Sequence, residues 1–76
     1  MNIHDPKYQA FLKKLRAARK AAGMTQVDAA RRLGKGQAFI WKSEVGERRV
    51  DFVEAVTFAK LYGKKITYFA PTTAAK

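Results

Sequence analysis

The stretch Thr25-Gln26-Val27-Asp28-Ala29-Ala30-Arg31-Arg32-Leu33-Gly34-Lys35-Gly36-Gln37-Ala38-Phe39-Ile40-Trp41-Lys42-Ser43-Glu44 decides the fold. Thr25 with Asp28 three residues on is a capping box, in which a hydroxyl and a carboxylate each satisfy a backbone amide at the start of a helix. The short helix that follows carries Val27, Ala29, Ala30 and Leu33. Gly34 ends it, Lys35 and Gly36 continue the turn, and a second helix runs from about Gln37 to Glu44 before Gly46 closes it. Two short helices joined by a tight glycine-containing turn are the physical signature of a helix-turn-helix. Ordinary helix pairs share this spacing, so the flanking residues must carry the rest of the reading.

Upstream, Asp5 and Pro6 suit the cap and first position of a helix. Tyr8, Phe11, Leu12, Leu15, Ala18 and Ala22 then recur at three- and four-residue spacing as one apolar stripe, and Gly23 supplies a stop. Downstream, Glu47 to Val50 reads as a polar connection. Asp51 and Glu54 repeat the capping-box pattern, and Phe52, Ala55, Val56, Ala59 and Tyr62 give a fourth helix its stripe up to Gly63. Thr67-Tyr68-Phe69 starts a last helical turn before Pro71, and residues 71–76 read as a flexible tail. Strand-like alternation is absent. The expected fold is all-α, a compact bundle of about five short helices. It forms one domain over residues 1–70, with the motif at 25–44.

Sixteen Lys and Arg against six Asp and Glu give a formal charge of +10 over 76 residues, which favours a polyanionic partner, whether DNA, RNA or an acidic membrane surface, without choosing among them. Hydrophobic residues make up 47% of the chain, too many for a disordered basic tail. Cysteine is absent, one histidine sits near the start, and the six acids are scattered. No nucleophile–base pair or metal cluster can be assembled from these, so neither enzymatic activity nor a cofactor is expected. No apolar run approaches the ~18 residues of a membrane span and no signal-peptide pattern opens the chain. A cytoplasmic protein is the expectation.

The run from Leu15 to Gln26 resembles the opening of the Xre/Cro-like family, which includes the phage lambda-type repressors: a Leu-Arg helix end, then Gly, an apolar residue, Thr and Gln. The resemblance continues through Ala30, Leu33-Gly34, Gln37, Ile40, Lys42, Glu44, Gly46 and Arg48-Arg49, and resumes at Ala59 and Gly63. It implies a five-helix bundle whose second motif helix enters the major groove of DNA, a docking geometry for which phage repressors are the reference case. By the same resemblance, Gln26 binds a phosphate and Gln37, Ala38, Trp41 and Lys42 face the groove. Ile40 is a buried anchor, and Arg19 pairs with Glu44. The chain departs from the pattern at Ala29, where a larger aliphatic is common, and at Trp41, where a small or polar residue is usual. Val50 stands in place of a frequent proline.

Chemistry gives these positions work. The amide of Gln37 can pair bidentately with adenine, Lys42 can reach guanine or a phosphate, and Ala38 offers only a methyl. Trp41 falls one step round the helix from Ile40, beside Gln37 and Lys42. That placement favours the groove over the core and lets the indole pack on a thymine methyl or a deoxyribose. Thr25, Gln26, Lys35, Arg48 and Arg49 flank the motif as phosphate contacts. Leu61, Ile66, Tyr68 and Phe69 are surplus apolar residues expected at the interface of a homodimer on a palindromic operator. The expected function is therefore sequence-specific binding of double-stranded DNA by a stand-alone transcriptional regulator, a repressor in its simplest form. The alternative is an antitoxin-like module that holds a toxin-like or other protein partner, with Val53 joining those apolar residues. RNA binding is disfavoured because the aromatics form no interleaved stacking platform.

Overall fold

Asp5 and Pro6 open the first helix as the sequence predicts: the Asp5 carboxylate accepts a bond from the Lys7 amide at 2.7 Å and Pro6 sits in the first turn. The computed structural model describes residues 4–70. Its elements are α1 (Pro6–Ala21), α2 (Gln26–Leu33), α3 (Gln37–Val45), α4 (Phe52–Tyr62) and a closing 3-10 turn (Ile66–Phe69). The fold is all-α, with the last of the five expected helices reduced to that single turn. The flexible tail expected at residues 71–76 lies outside the described residues.

Both capping boxes form. Thr25 Oγ1 accepts from the Asp28 amide at 3.0 Å while Asp28 returns a bond to the Thr25 amide at 3.0 Å, and Asp51 and Glu54 do the same for α4 at 2.7 and 3.2 Å. Gly34, with φ at 67°, is the turn that makes the motif possible. Its left-handed backbone lets the Lys35 amide reach back to the Ala30 carbonyl at 2.9 Å, ending α2 and redirecting the chain within two residues. Open space surrounds the missing Cβ, so the need for glycine here is one of backbone conformation, not of room.

Leu15 from α1, Ile40 from α3 and Phe58 from α4 are fully buried and define the core, with Ala18, Ala29 and Ala59 filling between them. The stacked rings of Phe39, Phe58 and Tyr62 run along one side, with centroids 6.2 and 5.9 Å apart. Four expectations about this core change. Phe52, expected in the α4 stripe, is 72% exposed, whereas Phe58 lies at the centre. Helical side chains tilt toward the N-terminus, so a residue in the first turn overhangs the end of the core. Val50, expected in a polar connection, is buried, and its amide donates to the Tyr8 hydroxyl at 3.0 Å. Phe69, expected at a dimer interface, is only 4% exposed and packs edge-on against Phe11. The 3-10 turn folds back onto α1 and takes Phe69 with it. Leu61, Ile66 and Tyr68 are half-buried against the same core. Val27, predicted on the apolar side of α2, is exposed.

One buried polar atom has no hydrogen-bond partner among the described residues: the hydroxyl of Tyr62. Burial pushes its pKa up to about 12, with the Glu44 carboxylate adding to the shift. A desolvated hydroxyl without a partner costs about 1–3 kcal/mol. Tyr62→Phe keeps the ring stacked on Phe58 and removes that cost, so its urea midpoint should equal or exceed that of the parent chain. A clear fall in midpoint would show that the hydroxyl is bonded in solution.

Candidate nucleic-acid interface

The site is assembled around one carboxylate. Glu44, on the inner face of α3, accepts two bonds from Arg19 of α1, Nε to Oε2 at 2.7 Å and Nη2 to Oε1 at 3.2 Å. Both side chains are nearly closed to solvent, at 8% and 2% exposure. The third arm of the guanidinium donates to the Met24 carbonyl at 2.9 Å, so Arg19 also fixes the turn between α1 and α2. The bond to Glu44 holds the Arg19 pKa above its ordinary value despite burial. The pair implied by the family resemblance is thus present.

Spacing does not announce what the pair holds. Gln26, at the start of α2, donates from Nε2 to Glu44 Oε1 at 3.2 Å, and its Oε1 accepts from Gln37 Nε2 at 2.6 Å. A continuous chain therefore runs from the buried cation through Glu44 and Gln26 to Gln37 on the solvent side of α3. That bond uses one amide proton of Gln37. Its carbonyl oxygen and second N–H remain, and these are the acceptor and donor that a bidentate adenine contact requires.

The faces of α3 divide cleanly. Ile40, Ser43 and Glu44 are buried and Phe39 partly so, while Gln37, Ala38, Trp41, Lys42 and Val45 are exposed. The four residues predicted to face the groove lie together on one surface. Trp41, at 41% exposure, belongs to it and not to the core. Val45, 48% exposed, joins them and was missed, although its position four residues beyond Trp41 marks the same stripe. Gly36 begins α3 without a side-chain cap.

The predicted phosphate contacts are more scattered. Thr25 and Gln26 sit at the start of α2, the Thr25 hydroxyl oxygen already accepting the capping bond. Lys35 lies in the turn with its ammonium 5.3 Å from the Phe39 ring, and Arg49 lies over the Tyr8 ring at 5.3 Å. Arg48 is engaged within the protein. Its guanidinium stacks on Phe39 at 4.3 Å and binds both oxygens of Glu54 at 3.0 and 2.6 Å, with a further bond to Ser43 Oγ at 3.3 Å. It ties the end of α3 to the capping box of α4. Sequence spacing missed this because the partner carboxylate had already been read as a cap.

These helices, and an exposed α3 whose outward Gln37 is braced from beneath, define a DNA-binding helix-turn-helix domain. The helix-turn-helix family model matches residues 15–69. A solved structure of an XRE-family like protein from Pseudomonas syringae pv. tomato str. DC3000 superposes with a TM-score of 0.80 and is 43% identical, the match covering 88% of this chain and 82% of that one. The chain belongs to the XRE-type helix-turn-helix family. Comparison with curated protein sequences finds no match. Among the described residues no helix is long and apolar enough to cross a membrane.

Two outcomes follow. Glu44→Ala leaves a buried guanidinium without its anion, which costs about 3–5 kcal/mol. Urea unfolding should show a loss of that order, and an unchanged midpoint would contradict the buried pair. Glu54 is held below its ordinary value of 4.5, chiefly by the bond from Arg48, with burial opposing. A carboxylate of lowered pKa contributes stability above its unfolded value and loses it as pH falls through the folded one. The midpoint difference between the parent chain and Glu54→Gln should therefore be constant at neutral pH and shrink as pH falls below 4.5.

Proposed function

We propose that this protein is a transcriptional regulator that places α3 in the major groove of double-stranded DNA and represses by occupying its operator. The observation that carries this is the hydrogen-bonded chain ending at Gln37. A reader held by Gln26, and through it by a buried ion pair, spends little side-chain entropy when it meets a base. Gln37 contacts adenine, Lys42 reaches guanine or a phosphate, and Ala38 and Trp41 pack against the groove floor. Thr25, Gln26, Lys35 and Arg49 contact phosphates. Arg48, already paired with Glu54, contributes mainly its charge. One helix of nine residues reads few base pairs, so a homodimer on a palindromic operator supplies the missing specificity. Leu61, Ile66 and Tyr68 are the remaining candidates for its interface. The protein acts in the cytoplasm, on the nucleoid.

A second reading has its own observation. Phe52 and Val53 are each 72% exposed at the start of α4. An aromatic and an aliphatic side chain together in water suit a protein partner, as in an antitoxin-like module, and such a contact is compatible with DNA binding.

Selection of bound sequences from random duplex DNA tests the proposal and returns the site with its symmetry. On that site, a protein neutralising ~6–10 phosphates loses about 10³–10⁵ in affinity between ~50 and ~200 mM salt. Gln37→Ala should abolish a preference of about 1–3 kcal/mol at one position of each half-site, whereas Arg49→Ala should weaken all sequences alike and lower the salt slope. If Gln37→Ala shifts every single-base variant by the same factor, Gln37 is not a base reader.

A further inference from the structure

An ordinary surface helix buries its apolar side and wets its polar side. α3 does not keep to that division: Ser43 and Glu44 are buried beside Ile40, while Trp41, Val45 and Ala38 are exposed beside Gln37 and Lys42. On a helical projection centred on Trp41, Gln37 and Val45 lie about 40° to either side, with Ala38 at about 60° and Lys42 at about 100°. The outer face is therefore an apolar strip with an amide on one border and a cation on the other. None of its exposed side chains is acidic, because the carboxylate of Glu44 is spent inside on Arg19 and Gln26.

We infer that this strip is a reader of thymine methyl groups, with Trp41 as its principal residue and Val45 and Ala38 extending it. The inference rests on the proposed placement of α3 in the major groove and names what that helix recognises there. On the floor of the groove the one alkyl group that base edges present is the C5 methyl of thymine, where cytosine shows only a C5–H. A polar helix face reads the donors and acceptors of those edges. This face has Gln37 for that purpose and, beside it, indole and isopropyl surface that can gain only from burial against carbon. The border groups fit the same occupant: Gln37 matches an adenine edge, and Lys42 with the net charge of +10 suits the phosphates that flank it. Gln37 and Trp41 are one helical turn apart, so the site they read together is A·T-rich, with an adenine next to one or more thymine methyls.

The experiment replaces each thymine of the selected duplex, one at a time, by deoxyuridine. This removes the methyl and keeps every hydrogen-bonding group. Burying one methyl-sized group is worth about fourfold in affinity, so the parent protein should bind about fourfold more weakly at one or two positions of each half-site. Trp41→Ala, checked for helicity and melting temperature, should be indifferent at those same positions. Emission from Trp41, the single tryptophan, should change on binding the thymine duplex and change less on the substituted one. Two results overturn the inference and leave DNA binding standing: indifference of the parent protein to every substitution, or full methyl sensitivity persisting in Trp41→Ala. Failure to select any duplex overturns both this inference and the function on which it rests. Indifference in the scan on the parent protein overturns the inference without relying on any variant.

Discussion

The buried carboxylate of Glu44 is where three helices meet. It takes two bonds from α1 through Arg19 and one from α2 through Gln26, and it belongs to α3. A buried ion pair is a weak source of net stability, because two charges must leave water before they attract each other. Matched apolar residues could fill the same space. They could not accept the bond from Gln26, and without that bond nothing beneath the protein surface would orient Gln37. The pair is better understood as a fixture that sets the angle between α1, α2 and α3 and transmits that setting to the outer face. Its three donors match the lone pairs of one carboxylate, which is why so small a core can hold it.

A second brace takes hold of α3 at Phe39 and Ser43. Arg48 lies on the Phe39 ring and grips Glu54, and Glu54 also caps α4. The Tyr8 hydroxyl accepts the Val50 amide and ties the same connection to α1. α3 is thus held along its length by side chains from neighbouring segments. The helix itself is short, lacks a side-chain cap at Gly36 and would be marginal alone.

Features written locally were legible in the sequence. The capping boxes at Thr25–Asp28 and Asp51–Glu54 and the glycine stops span only a few residues, and short-range geometry fixes them. The outward position of Trp41 followed from its angle to Ile40. Harder to read were features that depend on distant chain. Phe58 and Phe52 both suit an amphipathic α4, and only the end of the core decides between them. Phe69 looks like surplus hydrophobic surface until the 3-10 turn is laid against Phe11. Arg48 looks like one more surface cation in a basic chain until Glu54 is seen to hold it. Charge counting cannot separate a braced arginine from a solvated one.

The division of α3 into two faces also bears on how such a protein changes over generations. The residues that keep the helix in place are Ile40, Ser43 and Glu44, and those that meet the outside are Gln37, Ala38, Trp41, Lys42 and Val45. The two sets share no position. Surface changes usually alter stability by no more than about 0.5 kcal/mol, although Trp41 and Val45, each covered over more than half of its surface, have packing to lose. A lineage can therefore vary the outer face of α3 at these five positions while its folding remains under separate selection. Gln37 is the exception, since its neighbour Gln26 is bonded to the inner set. Of the five, it is the position where a substitution would be felt in the frame as well as on the face.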